Sequence, residues 1–128
     1  MADVSNESQV RDVVERWAKA VRDGDMDGVL ANHTDDILMY DVVEPPRVRG
    51  LAEYRRQWEL FFRYSPLGDG SFDLLDLEVF AGQDVAWCHA MIAIVDLRCR
   101  LTLGLRRVDG QWMIAHEHHS FPSEVPAG

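Results

Sequence analysis

Asp41, His116 and His118 are the residues of this chain whose types could carry acid–base chemistry. Histidine titrates near neutral pH, so one held in a pocket can give or take a proton under ordinary conditions. A carboxylate between apolar walls has its charged form disfavoured, which moves it toward use as a general base. Asp41 ends the run Ile37-Leu38-Met39-Tyr40-Asp41, just before the loop Glu44-Pro45-Pro46. His116 and His118 stand two apart near the C-terminal end, with Ser120 two further on as an accessory hydrogen-bonding group. Each has an alternative reading. The two histidines could simply hydrogen-bond neighbouring main chain in a core, and Asp41 could be a solvated strand end. With His33, His89 and His119 the histidines could also ligate a metal, but no third ligand follows at a diagnostic spacing, and none is expected. Cys88 and Cys99 have no metal-ligand spacing either and read as free thiols.

Whether those side chains meet depends on the strands that carry them. Asp109-Gly110 is the strongest two-residue signal for a type I′ hairpin, and it pairs Val108 with Gln111. Counting from that turn places Leu105 opposite Ile114, Leu103 opposite His116, Leu101 opposite His118 and Cys99 opposite Ser120. Directly opposed residues share a face, and this face is the more apolar of the two. It is therefore expected to be buried, with His116, His118 and Ser120 set into an apolar wall. Glu117 and His119 fall on the other face, with His119 exposed or at a subunit contact. A bulge after the turn would reverse one strand's assignment.

The rest of the chain supplies helices first and strands after. Val10, Val13, Val14, Trp17, Ala18 and Val21 follow the stripe of an amphipathic helix, capped by Ser5 or Asn6 and stopped by Gly24. Asp25 caps a short second helix that ends near His33. Residues 37–41 read as a strand, and a third helix follows Gly50 with Leu51, Tyr54, Trp58, Phe61 and Phe62 at helical spacing. From Phe72 the period changes to two. Further strands are expected over about 85–95, 98–107 and 112–120. This order gives an α+β class, three helices packed on the concave face of a curved, mostly antiparallel sheet. A space enclosed between such layers is a favoured place for a ligand.

The chain has 128 residues, enough for a single domain over 1–128, with residues 1–5 and 122–128 expected to fray. A formal net charge of −9 argues against nucleic acid or an anionic membrane as partner. The acid excess lies in the flanks, whereas residues 45–68 hold two acids against five arginines. Arg47, Arg49, Arg55 and Arg56 read as a solvated face, or as an anion contact at a cavity rim. No apolar run approaches the roughly 18 residues of a membrane span, and the polar start is no signal peptide. Free thiols without a secretory segment point to the cytoplasm.

The stretch from Val13 to Val29, with Trp17, Gly24 and Asp25, resembles the opening of the nuclear-transport-factor-2-like (NTF2-like) superfamily, which includes ketosteroid isomerases and SnoaL-like polyketide cyclases. So does Asp36-Ile-Leu-Met-Tyr-Asp41 followed by Pro46-Arg-Val-Arg-Gly50. The run from Arg100 to Pro122 resembles the SnoaL-like branch. The resemblance implies a cone-shaped barrel, a deep apolar cavity and homodimers formed through the sheet. Asp41 falls on the isomerases' general-base aspartate. Their donor tyrosine falls on Trp17, and their protonated aspartic acid falls near Leu103, which cannot donate. A single such donor is worth about 3–4 kcal/mol, so steroid isomerisation itself is not expected.

The expectation is thus a pocket for a small apolar molecule, with proton transfer, cyclisation or hydration on a carbonyl compound if the protein is an enzyme. Asp41, His116 and His118 would be the catalytic groups, and Tyr40, Trp17, Trp58, Leu101, Leu103 and Ser120 the binding ones. No cofactor is needed. The alternative is a non-catalytic ligand-binding or accessory module of the same fold.

Overall fold

A computed structural model describes residues 5–123; most of the two ends expected to fray lie outside the described residues. The predicted stripe winds into α1 (Asn6–Asp23), where all six of its residues are buried. Ser5 caps it by accepting from Ser8 N, and Gly24 ends it in the left-handed region at φ 68°. Asp25 caps the one-turn α2 (Met26–Leu30) through Gly28 N. β1 (His33–Tyr40) starts four residues earlier than residues 37–41 suggest. Its first half, His-Thr-Asp-Asp, runs buried, buried, exposed, exposed, so no period of two shows there. β2 (Val48–Arg49) has two residues, too few to leave a pattern. Then come α3 (Leu51–Tyr64), β3 (Asp73–Ala81), β4 (Val85–Ile94), β5 (Leu97–Val108) and β6 (Gln111–Ser120).

The strands form one curved, unclosed sheet in the order β2-β1-β6-β5-β4-β3, in which only β1 and β6 run parallel. α1 packs on β3 and β6, and α3 on β1 and β2, so the helices cover the concave face. Trp17, Trp58 and Phe72 meet edge-on at the centre of the core, with ring centroids 5.4–6.0 Å apart. Such edge-to-face packing suits the ring quadrupoles.

Asp109 and Gly110 adopt φ of 50° and 80°, as the type I′ turn requires, and Val108 lies opposite Gln111. Pairing then follows the count as far as Leu105 opposite Ile114. At the next step Gly104 faces His116, and Ala115 is left as an extra residue. β6 carries a bulge there. Its pairing with β1 slips in the same region, between His33–Ile114 and Leu38–His116. The expected pairs Leu103–His116, Leu101–His118 and Cys99–Ser120 are therefore replaced by Leu103–Glu117, Leu101–His119 and Arg100–Ser120.

Candidate functional site

The bulge exchanges the two faces of β6. One inserted residue turns every later side chain to the opposite side, because the strand period is two. Glu117 and His119 point into the core at 0 % and 8 % exposure, whereas they had been expected outside. His116, His118 and Ser120 lie on the outer face, where they had been expected within. There the Tyr40 ring stands edge-on to His116 and His118 at 5.4 and 5.3 Å, and His116 Nδ1 lies 2.9 Å from Leu38 O. The sequence offered one warning. Gly104 is an isolated glycine in a strand, a common mark of a bulge. A Cβ at Gly104 would stand 3.4 Å from that of His116.

Inside, five polar side chains form a buried chain. His33, at the start of β1, points Nδ1 at Ala31 O (2.8 Å) and Nε2 at Tyr54 Oη (2.9 Å). Tyr54, from α3, lies 2.7 Å from Glu117 Oε1 and accepts from Trp17 Nε1 at 3.1 Å. Glu117 Oε2 then meets His119 Nε2 at 2.7 Å, a close charge contact without the alignment of a hydrogen bond. His119 Nδ1 approaches Asp41 Oδ1 at 3.5 Å. Asp41 also accepts from Val42 N at 2.7 Å and from Gln57 Nε2 at 3.2 Å.

Burial opposes charge on His119, but the Glu117 and Asp41 carboxylates together outweigh it and raise the imidazole to about 9. At neutral pH His119 is a cation, held between Glu117 and Asp41. Burial pushes the Asp41 carboxyl up, yet His119, the Val42 amide and Gln57 overcome that and hold it below the ordinary range. The expectation that apolar walls would raise Asp41 is thus reversed by its partners. Burial lowers His33. Tyr54 is driven well above its usual value by burial and by the Glu117 charge.

The Asp41–His119 end of this chain opens on a cavity of about 220 Å³. Trp58, Phe61, Phe72, Ile94 and Phe121 make it apolar, and Asp41, Gln57 and His119 give it one polar side. Cys99 also lines it, but burial pushes that thiol up to about 11, so it is no nucleophile at neutral pH. Of the predicted site residues, Asp41 and Trp58 line the cavity. Trp17, Leu101 and Leu103 are buried in the core beside it without lining it. Tyr40, His116, His118 and Ser120 are on the far side of the sheet. Sequence reasoning missed His119 and Gln57 as partners of Asp41, and Glu117, Tyr54 and His33 as the buried chain behind His119. Among the described residues no three His, Cys, Asp or Glu side chains converge to hold a metal ion.

The sequence profile of the SnoaL-like domain family matches residues 10–124. A crystal structure of an NTF2-like protein of unknown function from Pseudomonas putida KT2440 superposes with a TM-score of 0.83 at 35 % identity, covering 92 % of this chain and 87 % of that one. Two more distant structures share the fold. A candidate ketosteroid isomerase from Shewanella frigidimarina NCIMB 400 has a TM-score of 0.74 at 22 % identity, with 93 % and 100 % of the chains covered. The S. rosetta CaMKII hub has 0.74 at 22 %, with 93 % and 98 % covered. None of the curated proteins matches the chain.

Proposed function

The chain belongs to the SnoaL-like domain family, and we propose that its pocket binds a small, neutral, largely apolar molecule and moves a proton on it, with Asp41 as the base. One observation carries this reading: a carboxylate lies on the polar side of an otherwise apolar cavity, backed by a buried imidazolium. Apolar cavities of about 150 Å³ admit benzene, so about 220 Å³ suits a single ring with small substituents. Asp41 Oδ1 faces both the Val42 amide and His119 Nδ1, whereas Oδ2 accepts only from Gln57 and keeps a lone pair for the ligand. In the step proposed, a C–H bond next to a carbonyl breaks, its proton goes to Asp41, and the electron pair stays on the substrate as an enolate. The proton then returns at another carbon. His119 touches Asp41 rather than the reacting carbon and acts as a positioning residue.

His116 and His118 have no part in this step, because they face away from the cavity. Neither is steroid isomerisation proposed. Trp17 spends its N–H on Tyr54, and Leu103 offers no donor.

A second reading has its own support. The partners that hold Asp41 ionised make it a good fixed acceptor and a weak base, which suits a binder without chemistry. Hydrogen exchange separates the two. Cyclohex-2-enone and acetophenone are incubated with the protein in deuterium oxide, and loss of their α-proton signals is followed by NMR. Exchange above background that vanishes in Asp41→Asn supports proton transfer. Binding without exchange in the wild type supports the binder and overturns the enzyme.

We also propose a homodimer through the outer face of the sheet. Phe80 and Trp87 stack there at 4.6 Å while 44 % and 50 % exposed, an apolar pair that a second copy would cover. Among the described residues no helix is long and apolar enough to cross a membrane.

A further inference from the structure

The charged pair at the pocket ends a longer buried chain, and the hydrogens of that chain can be counted. His33 Nδ1 must carry a hydrogen, because the carbonyl of Ala31 at 2.8 Å can only accept. The next two contacts, His33 Nε2 to Tyr54 Oη at 2.9 Å and Tyr54 Oη to Glu117 Oε1 at 2.7 Å, need one hydrogen each. Tyr54 brings one. The Trp17 N–H points at the same oxygen and fills neither gap. If Tyr54 donates to Glu117, Nε2 of His33 must be protonated to fill the other. If Tyr54 donates to His33, Glu117 must be the acid. With neither, two lone pairs would face each other in the interior, where an unmade hydrogen bond carries the full cost of desolvation.

We propose that His33, Tyr54 and Glu117 form an arm behind the pocket that holds one proton beyond the tyrosine's own, shared between His33 Nε2 and Glu117 Oε1, and that this proton makes the whole site electrically neutral. The inference rests on the reading of Asp41 as the base. With the arm proton present, His33 and Glu117 together carry no net charge, and the His119 cation cancels Asp41. When Asp41 takes the substrate's proton, the site becomes +1 and faces an enolate of −1. Without the arm proton the same step would run from −1 to 0 and leave the enolate's charge uncompensated in an apolar cavity. The arm thus does from behind the pocket part of what an oxyanion donor does by direct contact, and it adds to any donation from Gln57, Trp58 or Ser65 in the pocket lining. His33, Tyr54 and Glu117 are positioning residues, since none of them lines the cavity.

The test needs no ligand. Protein labelled with ¹⁵N in histidine and ¹³C in the glutamate carboxyls is examined by NMR at pH 7, and protonation of His33 Nε2 and of Glu117 is summed. A sum of one supports the arm; zero or two overturns it. Glu117→Gln carries a permanent N–H where the acid would carry its proton, so His33 Nε2 should be unprotonated in it at pH 7. Because no ligand is used, failure here sinks the arm alone, whereas failure of deuterium exchange sinks the role of Asp41.

Discussion

Replacing His119 by glutamine should remove a pH dependence that the wild type shows on its alkaline side. The imidazole is raised from 6.5 to about 9 by the two carboxylates, against its burial. A group whose pKa is raised on folding stabilises the fold fully below its unfolded value, and that stability is lost as pH climbs through the folded value. A rise of about 2.5 at 1.36 kcal/mol each is worth about 3 kcal/mol, present in full below pH 6.5 and gone above about pH 9. His119 is only 8 % exposed, so solvent screens little of this. Urea unfolding between pH 6 and pH 10 should show the wild type falling by about 1.4 kcal/mol per pH unit in that window. His119→Gln should lack this slope, and the gap between the two proteins should close by about 3 kcal/mol. Other alkaline titrations occur in both proteins and cancel. A gap that stays constant would refute the reading of His119 as a buried cation. The size of the loss also reports on the arm, being smaller where the extra proton sits on Glu117 and reduces its charge.

On the acid side Asp41 behaves in the opposite sense: its lowered pKa adds stability above its unfolded value of 3.8 that is lost as pH falls through the folded one. Asp41→Asn should therefore flatten the acid limb of stability measured by urea. Trp58→Ala should cost about 3–5 kcal/mol in the same assay, since the ring is buried at 3 % exposure among Trp17, Tyr54, Phe61 and Phe72. Gly24→Ala should cost about 1 kcal/mol or more by thermal melting, because φ is 68° and the new Cβ would fall 2.7 Å from Leu67 Cδ1. Trp87→Arg should leave a folded monomer in sedimentation velocity if the outer sheet face joins two copies.

Local rules carried the reading of the fold a long way. The stripe on α1, the caps at Ser5 and Asp25 and the Asp109-Gly110 turn all lie in the chain as short-range patterns, and each has the conformation its chemistry dictates. β1 was half hidden because its start is polar, and β2 wholly so because two residues have no period. Asp41 was legible too, as the acid at the end of an apolar run. Its partners were not. His119 was set outside by an unbroken count from the hairpin, and Glu117 went with it.

The sequence by itself determined the helices, the four long strands β3 to β6, the closing turn and the carboxylate at the mouth of the cavity. All of these depend on residues within about a dozen positions of one another. Only the tertiary structure decided which of two alternating polar sets on β6 enters the core. That choice rests on one residue, Ala115, left over where β6 is shared between β5 on one side and β1 on the other. A turn fixes register only until the first insertion, and beyond it the faces are set by strands distant in sequence. Tyr54 and His33 show the same limit. They come from α3 and β1, and become partners of Glu117 only when helix, strand and bulge meet in the core.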